Sequence, residues 1–206
     1  MAFIKVIHPE QAEGALQELY RLVRGPGGQV DQVLQIHSLR PHTMKGHMAL
    51  YKAALHDTRN ELPGWYLECI GVLVSRLNQC DYCDVHHSMG LKRQLRREKL
   101  DYTAYDRAID RVLEGQEEVA PLTAQERAGL EYAIKLTRTP GEIVPADIEV
   151  LRQTGFSDGC ILEINQVAAY FAYANRTVTG LGVDTEGESL GMAPPDNSDS
   201  SDWHHE

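Results

Sequence analysis

The chain has 206 residues, 42% hydrophobic and 24% charged, which is ordinary usage for one globular domain, or two small repeats fused into one, with its own core. No apolar run approaches the roughly 20 residues that span a bilayer, and the opening Met-Ala-Phe-Ile-Lys is too short for a secretory hydrophobic segment. The expected setting is a reducing cytoplasm, away from membranes. The formal charge of -10 is concentrated at the end: residues 183–206 hold Asp184, Glu186, Glu188, Asp196, Asp199, Asp202 and Glu206 with no Lys or Arg. This segment is also rich in Gly, Ser, Pro and Asn, so it is expected to be a solvated, disordered tail behind a domain of residues 1–182. The remaining domain is only mildly acidic and carries no sign of nucleic-acid binding.

The pattern is helical nearly throughout. Pro9-Glu10 opens a stretch with Leu16, Leu19, Tyr20 and Val23 on one face, and Gly25-Pro26-Gly27-Gly28 ends it. Val30, Val33, Leu34 and Ile36 predict a short second helix. Pro41 opens a third, with Met44, Met48, Tyr51 and Leu55 on one side. Pro63 starts the next, whose apolar face is Trp65, Cys69, Val72, Leu73 and Leu77. Helix resumes near Asp84, and Tyr102, Tyr105, Ile109, Val112 and Leu113 mark a further one. Thr123 to Glu126 reads as a capping box before Leu130, Ala133, Ile134 and Thr137. Pro145 to Gln153 is a short helix stopped by Gly155, and Ser157 caps the last, through Ile161, Ile164, Val167, Ala168 and Phe171 to about Thr179. No stretch alternates with period two for long enough to be a strand.

A faint internal repeat runs through this pattern. Leu67-Glu68-Cys-Ile-Gly-Val is echoed by Leu162-Glu163-Ile-Asn-Gln-Val, and the residue twelve past each Glu is Cys80 in one copy and Asn175 in the other. Two helical units, one active and one degenerate, account for it.

Chemistry concentrates between Glu68 and His87. A Cys-x-x-Cys pair in the first turn of a helix brings both sulfurs to one side, within reach of a disulfide, and the helix N-terminus favours a thiolate there. The thiolate is the form that attacks a peroxide or disulfide, and a partner thiol three residues away resolves the sulfenic acid. Cys80 and Cys83 have this spacing. His87 stands one turn after Cys83 on the same face and can take up a thiol proton. Glu68 lies beside the apolar face of the preceding helix, where a carboxylate requires a partner. The same Cys80, Cys83, His86 and His87 also permit a zinc-binding reading, but they fall within eight residues of one turn and helix, whereas structural zinc sites pair ligands across a loop. The bland alternatives are two inert buried thiols and a surface Glu68. Lys92, Arg93, Arg96, Arg97 and Lys99 read as a solvated helix face, His42 and His47 as surface or satisfied histidines, and Cys69 and Cys160 as small core residues.

The order Glu68, eleven residues, Cys80-x-x-Cys83, three residues, His87 resembles the alkylhydroperoxidase AhpD and carboxymuconolactone decarboxylase superfamily. The Cys80-Asp-Tyr82-Cys83-Asp-Val-His86-His87 form is closer to its branch of peroxidase-related enzymes. The resemblance implies an all-α, AhpD-like helical domain with a degenerate internal repeat, assembled into a homo-oligomer, a trimer or hexamer. It implies a hydroperoxide substrate, a separate thiol or disulfide reductant, and no cofactor or metal. Carried over residue by residue, Cys83 attacks the peroxide, Cys80 resolves it, and Glu68 and His87 form the proton relay, with Tyr82 and His86 supporting. Tyr82 stands where the peroxidase prototype has a second relay histidine, and a phenol is a poor base near neutral pH. The decarboxylase branch generally lacks the cysteine pair, which places decarboxylation behind dithiol chemistry.

Overall fold

The computed structural model describes residues 2–25, 27–199 and 202–203. Among these, nine α-helices and no strand are present: α1 Gly14–Leu22, α2 Gln32–Gln35, α3 Pro41–Tyr51, α4 Gly64–Leu77, α5 Asp81–Arg97, α6 Tyr102–Leu113, α7 Ala124–Arg138, α8 Pro145–Gln153 and α9 Asp158–Leu181. None of the helices is long and apolar enough to cross a membrane. A π-helical turn, Lys52–His56, prolongs α3.

Helix α4 is the axis of the molecule, because its sequence is apolar on nearly every side. Tyr66 through Ser75 are all buried, as expected of a helix surrounded by others. Helices α5, α6, α7 and α9 pack around it. The main core joins Ile70, Leu73 and Val74 of α4 to Leu91 and Leu95 of α5, Ile109 of α6, Leu130 of α7 and Ile164, Val167 and Phe171 of α9. Arg76 at the end of α4 ties it to its neighbours through Asp84 (3.3 Å), Asp106 (2.6 Å) and Asp110 (2.8 Å).

Local signals set the helix ends. Thr123 and Glu126 form the reciprocal capping box, Ser157 accepts from the Cys160 N–H, and Gly182, at φ +67°, closes α9 in the left-handed conformation. The α4–α5 turn differs from the sequence expectation. Helix begins at Asp81, three residues before Asp84, because Gln79 adopts φ +54° and leaves Cys80 as the N-cap. This turn also separates the two repeat copies. Cys80 lies beyond α4, whereas Asn175 lies inside α9.

The described part of the C-terminal segment corrects the expectation of a solvated tail. Ala193 and Trp203 are 5% and 2% exposed, and Trp203 joins a core cluster with Leu16, Tyr20, Met44 and Met48. Asp196 pairs with His56 at 2.7 Å, and the Lys52 ammonium donates to the Asp202 carbonyl. The few apolar residues in an otherwise polar segment supply the anchorage that its average composition hides. Ser200, Ser201 and residues 204–206 lie outside the described residues.

Candidate active site

Cys80 and Cys83 occupy the N-cap and the first turn of α5, both free thiols and both buried. The Cys83 thiol facing Cys80 holds the Cys80 pKa down to about 6, against the burial that raises it. The Cys83 backbone N–H, Thr179 and Asn175 act in the same direction. An N-cap sulfur meets the N-terminal N–H groups of its helix, and these favour the anion. Cys83 is pushed well above the ordinary thiol value, first by its hydrogen bond to Cys80 and then by burial. The two thiols therefore lose their protons in two separate steps that belong to the pair.

Asn175 is the side chain through which α9 reaches both sulfurs, since it lowers the pKa of each thiol. It is 1% exposed. Its amide donates to Ser75 Oγ (3.2 Å) and its carbonyl accepts from Asn78 (2.9 Å), which fixes its orientation.

Glu68 and His87 meet as expected. His87 Nδ1 is 2.8 Å from Glu68 Oε2, with side chains 13% and 4% exposed. With Nδ1–H donating to the carboxylate, Nε2 is left as the basic nitrogen. Two glycines make room for this pair. A Cβ on Gly90 would run into the Glu68 carboxylate, and one on Gly71 would run into the ring of Phe171. That ring stands edge-on to His87, 4.5 Å between centroids.

Glu68, Cys83, His87 and Gly90 line a cavity of about 50 Å³. Cys80 is not among its lining residues; it packs with Ile36, Val178 and Val183. Asp31, His47, Tyr51, Tyr82, His86 and Tyr170 complete the walls.

Tyr82 and His86 stack at 4.4 Å and face the C-terminal segment. The Tyr82 hydroxyl donates to Glu188 Oε1 (3.2 Å) and accepts from the Val33 N–H (3.2 Å). His86 accepts the Gly191 N–H at Nδ1 (3.4 Å) and meets Glu188 Oε2 at Nε2 (3.1 Å). His86 is thus occupied at both nitrogens by the segment that sequence reading placed in solvent. The adjacent histidines diverge, one to Glu68 and the other to Glu188. Among the described residues, no three His, Cys, Asp or Glu side chains are grouped to hold a metal ion.

Asp31 and His47 carry no sequence pattern that marks them. Burial and the nearby Glu188 raise the Asp31 carboxyl to about 7, opposed by His86. His47, read from sequence as a surface or satisfied histidine, is 3% exposed. Its Nδ1 is buried without a hydrogen-bond partner among the described residues. Burial, then His37 and His87, push its pKa down to about 3, so the ring is neutral. Asn175 alone of these additional residues left a trace in the sequence, as the repeat counterpart of Cys80.

No protein-family model matches the chain, and no curated protein does. Solved structures do. A peroxidase-related protein from Ralstonia eutropha JMP134, described as an alkylhydroperoxidase AhpD core, superimposes with a TM-score of 0.74 at 24% identity, covering 89% of this chain and 91% of that one. A peroxidase-related protein from Silicibacter sp. TM1040 gives a TM-score of 0.66 at 29% identity, covering 82% and 86%. The debrominase Bmp8, as a single-residue variant in complex with 2,3,4-tribromopyrrole, shares the fold at a TM-score of 0.67 and 17% identity, over 91% and 95%. The fold shared along most of their length is the all-α, AhpD-like fold, and at 24% and 29% identity the two peroxidase-related proteins are what this chain is similar to.

Proposed function

We propose that the chain is a thiol-dependent, peroxidase-like oxidoreductase of the alkylhydroperoxidase type, which reduces hydroperoxides through Cys80 and Cys83. The observation that carries this reading is the buried Glu68–His87 pair lining the same cavity as Cys83. In the first step Cys83 passes its proton to His87 Nε2, and the imidazolium is held by Glu68. The Cys83 thiolate attacks the outer peroxide oxygen; an S–O bond forms as the O–O bond breaks. The departing alkoxide takes the proton from His87 and leaves as an alcohol.

In the second step the Cys80 thiolate attacks the sulfenic sulfur. The S–S bond forms, and the displaced hydroxide takes up a proton and leaves as water. Two electrons have passed from the dithiol to the peroxide. The lowering of the Cys80 pKa by its hydrogen bond with Cys83 suits this resolving role. A separate thiol or disulfide reductant restores the pair, in a cytoplasmic homo-oligomer.

The test is rapid-mixing oxidation of the reduced protein by hydroperoxides, followed by mass spectrometry of the Cys80–Cys83 peptide. A stoichiometric disulfide is expected. Cys80→Ser should stop at a sulfenic acid on Cys83, whereas Cys83→Ser should not react with peroxide. Equal sulfenic trapping in both variants reverses the role assignment. Stoichiometric zinc that blocks both thiols until a chelator removes it sinks the redox reading.

A further inference from the structure

We infer that residues 191–194, together with Trp203, form the roof of the active-site cavity and limit this chain to small hydroperoxides, with Trp203 as the residue that sets the size limit. This rests on the peroxidase reading above and names its substrate class.

Glu68, Cys83 and His87 line the cavity together with Met192, Ala193, Pro194 and Trp203 of the C-terminal segment. The space of about 50 Å³ beside these residues, partly open to solvent, corresponds to roughly three to five water-sized positions. Hydrogen peroxide, with two heavy atoms, fits beside Cys83. A hydroperoxide carrying an aryl group is larger than this space.

The roof is anchored along its length. Glu188 and Gly191 engage the two nitrogens of His86, and Arg93 donates to the Gly191 carbonyl. Gly191, at φ +75°, lies so close to Met89 that a Cβ would meet it at 2.5 Å. Farther on, Asp196 bonds His56 Nδ1 at 2.7 Å. Trp203 closes the end. Its indole lies 6.0 Å from the Tyr51 ring, which lies 6.0 Å from the His87 ring. A buried aromatic in such a seat is a rigid wall, because its two torsions are fixed by packing. The sequence therefore holds a specificity element well past Leu181, the end of its last helix, in a segment whose composition points to disorder.

The experiment compares hydrogen peroxide with cumene hydroperoxide as oxidants of the reduced full-length protein, following loss of the Cys80 and Cys83 thiols. The wild type should react at least roughly tenfold faster with hydrogen peroxide. Trp203→Ala should raise the cumene hydroperoxide rate roughly tenfold or more while the hydrogen peroxide rate changes less than about threefold. Met192→Ala, on the same wall, should shift the ratio in the same direction and covers the case in which Trp203→Ala fails to fold. Equal wild-type rates for the two oxidants, or an unchanged ratio in a folded roof variant, overturns the size limit and leaves the dithiol chemistry standing. If neither oxidant consumes the thiols, the peroxidase reading falls and the size limit with it.

Discussion

The carboxylate of Glu68 occupies the space in which a side chain on Gly90 would stand: a Cβ built there would lie 2.9 Å from Glu68 Cδ and closer still to Oε1. Helices α4 and α5 thus approach at the point where Glu68 and His87 meet, and the absent side chain lets Glu68 reach His87.

Gly90→Ala should therefore act on the site. The added methyl must displace the Glu68 carboxylate or part the helices, at a cost of roughly 1–3 kcal/mol. Peroxide-dependent disulfide formation should slow by about two orders of magnitude, the usual worth of a positioned proton-transfer group. Denaturant unfolding and stopped-flow thiol oxidation check the two effects separately; a full rate in Gly90→Ala would show that the close approach has no part in the relay.

Glu68→Gln keeps the shape and removes the charge. The amide still accepts from His87 Nδ1–H, but no anion holds the imidazolium once His87 takes the Cys83 proton. The rate should fall about 10²-fold and the pH–rate profile should change shape. An unchanged profile at an unchanged rate removes Glu68 from the mechanism.

Cys83→Ala deletes the principal group that lowers the Cys80 pKa. Cys80 should then titrate above about 6, toward its ordinary 9.0, as read from thiolate ultraviolet absorbance. The linkage has a definite sign. A thiol depressed in the folded state contributes stability that is complete above the unfolded value of about 9 and is lost as pH falls through about 6. Wild-type stability should carry this slope between those values, and Cys83→Ala should flatten it.

Asp31 has the opposite sign. Its carboxyl, raised to about 7 beside Glu188 and His86, favours the folded state while it is protonated. That contribution is complete below the unfolded value of 3.8 and is lost as pH rises through about 7. Asp31→Asn should leave stability near pH 4 unchanged and raise it near pH 8 by roughly 1–3 kcal/mol. Matching urea titrations at both pH values would contradict a protonated Asp31.

Much of this molecule is local in origin and so was legible. The capping box at Thr123, the Ser157 cap and the start of α8 at Pro145 each involve residues a few positions apart. Glu68, Cys83 and His87 were recognisable because helix spacing places Cys83 and His87 on one face, and because a carboxylate in an apolar stripe requires a partner. The family resemblance supplied the expected roles.

Other features depend on contacts that no periodicity records. Asn175 reaches the cysteines because α9 packs on α4, a hundred residues from Ser75. Gly90 and Gly71 matter for atoms on other helices. The end of the chain shows the contrast most sharply. Its acids and small residues describe a segment that cannot build its own core, but Trp203 and Ala193 did not have to build one; they found burial on a surface already formed by the N-terminal helices and α5. Sequence alone determined the helices and the spacing of Glu68, Cys80, Cys83 and His87, because these follow from neighbours along the chain. Only the tertiary structure decided which sulfur faces the cavity and which residues of the C-terminal segment line it, because those depend on surfaces that distant segments bring together.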